Sequence, residues 1–441
     1  MIFFLVVSLI AWILAPILGI FPWLLWLQLR RLSNEKKKSQ NQSLVEKISI
    51  AIIILTVSVY SSSITVHSDT AVYIESYVKM NWSDIFTQWK SGSDIYGYGL
   101  EMVLFILAYP IKLLSNSSPY WFLFAFSLFI NSLTVYIARV VSPKHYFHLL
   151  LIVFSTATYY THVFLMRQFL ANVFLLLSIL NIEFRVFYIF IPLSLFSHLS
   201  SLPYLLFATL VKIKAFTPKI FPVKRSTTVD SNLMASKSSS KKNPSFIRKS
   251  FVAKVMVLLL MILLAILSQN ISGLLSAIMP AVGGEQTLVQ RSEHYLGEES
   301  DPTNLGGIFV VTCSFLFSGL LFRKFGKLET SPKMIVLTII LASQLAMALF
   351  IPSTIRMRLV LFLLSYQGLF AFLLTDSKRK ILKYLGWIYP CFSVASIIRY
   401  FWFMSSYPEV SGIPVFFQGE VLSKNLIDYI LFFVNADVIV D

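Results

Sequence analysis

The 441-residue chain is long enough for two or three soluble domains. Composition excludes that: 56% of residues are hydrophobic, 13% are charged, and the mean hydropathy is +0.74. The charges gather between long apolar runs; about 20 apolar residues span a hydrocarbon core, and in lipid only a helix satisfies its own backbone over such a run. The net charge of +16 would suit nucleic acid in a soluble chain. Here no folded reader module accompanies the basic stretches, and excess Lys and Arg in cytoplasmic loops is the simpler reading. Cys313 and Cys391 lie far apart in apolar runs and suggest neither a disulfide nor a metal site.

In chain order, apolar segments fall near 2–29, 48–66, 100–115, 119–141, 146–165, 167–182, 185–211, 251–272, 305–323, 333–351, 357–375, 384–404 and 424–440. The expected fold is all-α: one polytopic membrane domain over residues 1–441, with about 11–14 transmembrane or re-entrant helices. The first segment has no basic n-region, which argues for a first membrane helix kinked at Pro16 and Pro22 and against a cleaved signal.

Basic clusters set the orientation. They are Arg30, Arg31 and Lys36 to Lys38; the loop 212–254; Arg323, Lys324 and Lys327; and Lys378, Arg379, Lys380 and Lys383. All four are assigned to the cytoplasm. Within the loop 212–254, residues 226–245 are of low complexity and read as disordered. The loops 67–98, 273–304 and 405–423, with the turn 352–356, then face outward. Acids enrich two of them: Asp69, Glu75, Asp84 and Asp94 in the first, and Glu285, Glu293, Glu298, Glu299 and Asp301 in the second. Beyond Asp69, the first loop reads as an amphipathic surface helix.

The path from 100 to 211 has two readings. If every segment crosses once, Arg139 and Lys144 fall outside. If 100–115 only dips into the membrane and 185–211 is a hairpin turning at Ser197–Ser201, then Arg139, Lys144 and Arg185 become cytoplasmic. The second satisfies the charge rule better and is preferred.

A charge within a membrane segment costs several kcal/mol and is a functional candidate by default. Asp69 opens the sequence DTAVYIESY, with Tyr73 and Tyr77 one turn apart; it is a helix cap, a catalytic carboxylate, or both. Arg167-Gln168 sits between two apolar runs, with His162 about a turn before it. Its guanidinium suits phosphate oxygens, unless it only snorkels to the interface. His198, in a polar break of an apolar run, suits proton transfer or simple packing. Arg356 and Arg358 break the charge rule on the outer side and suit either anion binding or anchoring. No phosphate loop, metal-spaced cluster or nucleophile elbow is present, so no cofactor or metal is expected. One carboxylate, one histidine and three arginines beside aromatic loops fit glycosyl transfer from a polyprenyl-linked donor.

Ser68-Asp69-Thr70 with Tyr73 and Tyr77, then Arg167-Gln168-x-x-Ala171, then His198-x-Ser200 resemble the EpsG family of Wzy-like exopolysaccharide and capsule proteins. The resemblance covers roughly 45–375 and is clearest over 67–210. It departs at Glu101, which is followed by Met102 where the family often has proline. It implies a polysaccharide polymerase in the bacterial cytoplasmic membrane, with a fold related to the GT-C-like membrane glycosyltransferases. Such an enzyme joins undecaprenyl-pyrophosphate-linked oligosaccharides, works within membrane lipid beside a chain-length regulator, and needs no nucleic acid. On that reading Asp69, Arg167 and His198 are catalytic. Tyr73, Tyr77, Gln168, Arg356 and Arg358 bind substrate. A polyprenyl-phosphate-sugar transferase would share most of this site; a lipid-linked oligosaccharide flippase would place its charges at mid-membrane.

Overall fold

The computed structural model describes residues 2–33, 40–63, 69–83, 85, 102–198, 201–202, 204–206, 208–209, 212, 380–405 and 424–435. The segments at 251–272, 305–323, 333–351 and 357–375, the loop 273–304, the loop 405–423 beyond Ser405, and Glu101, Arg356 and Arg358 lie outside the described residues, as does the loop 212–254 beyond Lys212.

Among the described residues every regular element is helical. These are α1 (Ile2–Leu14), α2 (Pro16–Ser33), α3 (Gln40–Ser62), α4 (Asp69–Lys79), α5 (Val103–Leu114), α6 (Pro119–Val141), α7 (Tyr146–Phe154), a 3-10 helix (Ala157–Val163), α8 (Met166–Leu180), α9 (Phe187–Leu195), α10 (Lys380–Ser405) and α11 (Leu426–Val434). Leu44–Ser62 within α3 and all of α6 are long and apolar enough to cross a bilayer; Phe3–Leu14, α5 and α8 are apolar but shorter. The chain is an all-helical membrane protein over these residues.

The first apolar segment is not one kinked span. Pro16 starts a new helix, where its missing N–H costs nothing and its ring cannot continue α1. The chain bends so sharply that Trp12 and Trp23 meet edge to face at 5.5 Å. Pro22 is accommodated inside α2.

Polar contacts define two ends of the helical layer. At one, Arg31 pairs with Glu46 at 2.7 Å, its guanidinium lies over the Tyr146 ring, and Gln28 donates to the Lys144 carbonyl. Arg139, in the last turn of α6, and Lys380, at the start of α10, belong to this basic end: Trp387 of α10 packs on His148. At the other end lie α4, the α5–α6 turn and the start of α8. The segment α7 plus the 3-10 helix runs between the two ends and is broken at Ser155–Thr156, whose hydroxyls turn back to the Ile152 carbonyl.

α8 is buried along its whole length and forms the centre. It is apolar on nearly every side, as a helix must be when neighbours surround it. It returns to the basic end, and α9 then runs back alongside it: Ser194 donates to the Ala171 carbonyl at 2.8 Å. The chain then doubles back. Lys212 donates to the Phe184 carbonyl at 3.1 Å and sits over the Phe187 and Tyr188 rings. Residues 184 and 212 being adjacent, the hairpin turns midway, at His198. The described residues between Arg185 and Lys212 are therefore arranged as a hairpin, as the charge rule favours. α5 has 12 residues, too few for a crossing of about 20. Its first N–H meets the Phe196 carbonyl near the hairpin tip, and its last turn meets α4 through Lys112 and the Val78 carbonyl.

Candidate functional site

α4 is amphipathic and held at both ends. Thr70, Tyr73, Ile74, Ser76 and Tyr77 are buried, while Val72, Glu75, Val78 and Lys79 face outward. At its start, the Thr70 hydroxyl donates to the Val163 carbonyl at 3.1 Å. At its finish, the Lys112 ammonium of α5 donates to the Val78 and Met80 carbonyls at 2.7 and 2.6 Å. A cation on the last carbonyls satisfies acceptors the helix cannot reach and suits the negative end of its dipole.

Between those anchors α4 meets α8. Arg167 Nε donates to the Tyr73 hydroxyl at 3.3 Å, and the guanidinium carbon lies 5.4 Å from the ring centre. Arg167 is only 8% exposed. It is the second residue of α8, whose N-cap position, Leu165, supplies no side-chain cap. The positive end of the helix dipole and the guanidinium charge therefore lie together, a combination suited to anions. Asp69, Tyr73 and Tyr77 follow one another at helical spacing of four, so the half-buried Asp69 carboxylate shares the face that meets Arg167.

The remaining candidates fall around this pair. Tyr77 is fully buried, its ring stacked on Phe122 at 4.4 Å and its hydroxyl 2.9 Å from Ser115 Oγ. Burial pushes its phenol above the ordinary value, with the Ser115 bond pulling weakly back. Gln168 is 2% exposed and Asn172, one turn further along α8, is 3% exposed; they carry the polar face of α8 inward. His198 is half-buried at the hairpin tip. The antiparallel register that sets Ser194 against Ala171 sets residue 198 at the level of residue 167. Tyr73 and Arg167 meet at the start of α8, with Asp69 one turn before Tyr73 on α4 and His198 at the tip of the neighbouring hairpin. Among the described residues no three His, Cys, Asp or Glu side chains gather as a metal cluster.

Sequence reasoning passed over the support beneath this site. His162 is fully buried, with Nδ1 2.8 Å from the Tyr159 carbonyl and Nε2 3.2 Å from Ser127 Oγ. Tyr159 donates to Asn131 at 2.7 Å, and Asn131 to Ser58 at 2.9 Å. Asn131 carried a usable signal: an amide in the middle of a 23-residue apolar helix must find partners inside the protein.

No curated protein and no solved structure matches the chain. The match to a family model stops well short of residue 375 and covers all six site candidates of the described region: residues 45–226 match the EpsG family, so the resemblance carried by Asp69, Tyr73, Tyr77, Arg167, Gln168 and His198 holds over that stretch.

Proposed function

We propose that this chain is a polysaccharide polymerase. It joins undecaprenyl-pyrophosphate-linked oligosaccharide repeat units at the outer face of a bacterial cytoplasmic membrane, in a multi-pass fold of the GT-C-like kind. The observation that carries the proposal is the buried Arg167–Tyr73 pair, sitting where α4 covers the uncapped start of α8. It lies within the stretch that matches the EpsG family. The basic end then faces the cytoplasm, and the α4 end faces outward.

In the proposed step, Asp69 accepts the proton of the acceptor hydroxyl at the non-reducing end of one lipid-linked unit. That oxygen bonds to the anomeric carbon of the growing glycan as the bond from this carbon to the pyrophosphate oxygen breaks. The leaving group is undecaprenyl pyrophosphate. Arg167 and the start of α8 stabilise its developing charge; fixed donors in a water-poor site do this without reorganising. His198, level with Arg167, hydrogen-bonds the phosphate or relays the proton. Tyr73 offers ring edge and hydroxyl to the sugar, Gln168 extends the polar wall, and Tyr77 is the floor behind. Arg356 and Arg358 add positive charge, and a chain-length regulator acts beside the enzyme.

Purified protein incubated with a lipid-linked repeat unit gives a ladder of products if this is right. A single added sugar means a polyprenyl-phosphate-sugar transferase instead. The absence of any covalent product removes both.

A further inference from the structure

We infer that His162 is a positioning residue for Arg167 and α4, holding both through the turn that joins the 3-10 helix to α8. The inference rests on the polymerase reading of the site. His162 has no exposed surface and cannot touch a substrate; it acts through its neighbours. Its ring packs against Tyr159, Phe169 and Phe126, with centroids at 5.3, 5.9 and 6.4 Å. Its hydrogen bonds fix its orientation. A carbonyl can only accept, so Nδ1, facing the Tyr159 carbonyl, carries the hydrogen. In the neutral ring Nε2 is then the acceptor, and the Ser127 hydroxyl is its donor. The same 3-10 helix is tied by Tyr159 to Asn131 and Thr134 of α6, and through Asn131 to Ser58 of α3. The ring is the last link of a polar network joining α3, α6 and the 3-10 helix.

Two outputs leave from the residues that follow. The Val163 carbonyl, one residue on, accepts from Thr70 and so sets the start of α4 beside Asp69. The turn then closes through bonds from the Phe164 and Leu165 N–H groups to the Thr161 carbonyl, and α8 begins at Met166 with Arg167 next. With so few residues between ring and guanidinium, a rotation of the imidazole displaces the Val163 carbonyl and Arg167 together. A group that must meet developing charge loses effect when it is misplaced by about 1 Å.

The test uses full-length protein in liposomes with a lipid-linked repeat unit. His162→Phe keeps the ring volume and loses both bonds; His162→Asn keeps a donor on the Tyr159 side; Ser127→Ala removes only the Nε2 partner. The expectation is a kcat loss of about tenfold for His162→Phe with KM within about twofold, and recovery of most of that loss in His162→Asn. In an Arg167→Ala background, His162→Phe and Ser127→Ala should each cost clearly less than in the native background, because one of the two outputs is gone and only the Thr70 tie to α4 remains. Equal losses in both backgrounds, or full activity of His162→Phe, overturn the inference. If His162→Phe fails to insert, Ser127→Ala alone decides by the same comparison. Full activity of Arg167→Ala would overturn the polymerase site itself, an outcome distinct from additivity.

Discussion

The Arg167–Tyr73 contact can be dissected at one position. Tyr73→Phe removes only the hydroxyl that accepts from Arg167 Nε at 3.3 Å and leaves the ring 5.4 Å from the guanidinium carbon. A hydrogen bond to a charged group contributes about 1.5–3 kcal/mol. At 3.3 Å this one is longer than the usual range, so the low end applies, about 1.5 kcal/mol. If the bond orients Arg167 on the leaving pyrophosphate, that becomes about tenfold in kcat. Tyr73→Leu also removes the ring, and a cation–π contact with a buried guanidinium adds about 0.5–2 kcal/mol. The combined loss is then about 30- to 300-fold. The assay is turnover of a lipid-linked repeat unit by purified protein, with yield and thermal unfolding in detergent confirming intact variants. The reasoning fails if Tyr73→Phe matches the native protein within about twofold, or if Tyr73→Leu is no worse than Tyr73→Phe.

Further outcomes follow from the packing. Arg167→Ala removes a proposed transition-state contact and should lower kcat by roughly 10²–10³ while the protein still inserts; unchanged product length would take Arg167 out of the site. Tyr159→Phe leaves the Asn131 carbonyl oxygen buried without its 2.7 Å donor and should cost about 1–3 kcal/mol. Asn131→Leu should cost less, about 1 kcal/mol, because Ser58 keeps its bond to the Ile54 carbonyl and Tyr159 keeps Thr134; the reverse order in thermal unfolding would refute the network. A Cβ at Gly19 would lie 2.2 Å from Trp12 Cα and 2.3 Å from Trp12 N, so Gly19→Ala must push α1 off α2 and should lower the melting temperature clearly. Ser117 has φ of 65° in the α5–α6 turn; Ser117→Gly should be neutral or stabilising by up to about 1 kcal/mol, read by the same melt.

Hydropathy made the helices legible because lipid leaves the backbone no other way to satisfy itself. α6 falls on the segment read as 119–141, while α3, at 40–62, begins eight residues before the segment read as 48–66 and ends four residues before its end. The breaks were harder. Pro16 was visible, but nothing in composition says whether a proline kinks a helix or ends it; the close approach of Gly19 to Trp12 decides that here. The apolar stretch 146–165 gave no warning that it divides into α7 and a 3-10 helix at Ser155–Thr156. Hydroxyls that bond back to the preceding turn hardly change an average hydropathy, yet they end the helix.

The candidate site was legible in its polar residues and illegible in its support, for one physical reason. A charge beside apolar runs stands out because it is expensive, which is why Arg167 is a candidate from sequence alone; Asp69 and His198 are candidates from the polar breaks they occupy. The groups that place them are neutral: a threonine hydroxyl, a backbone carbonyl, an imidazole with both nitrogens engaged. Such groups are ordinary in sequence and acquire meaning only when the fold sets them together. The doubtful path between 100 and 211 mattered for the same reason. One neutral contact, Ser194 on the Ala171 carbonyl, together with Lys212 returning to Phe184, turns His198 back to the level of Arg167. Had 185–211 crossed once, its far end could not have returned to Phe184. A hairpin that ends at the Arg167 level keeps its tip on one side of the helical layer instead of carrying the chain across it.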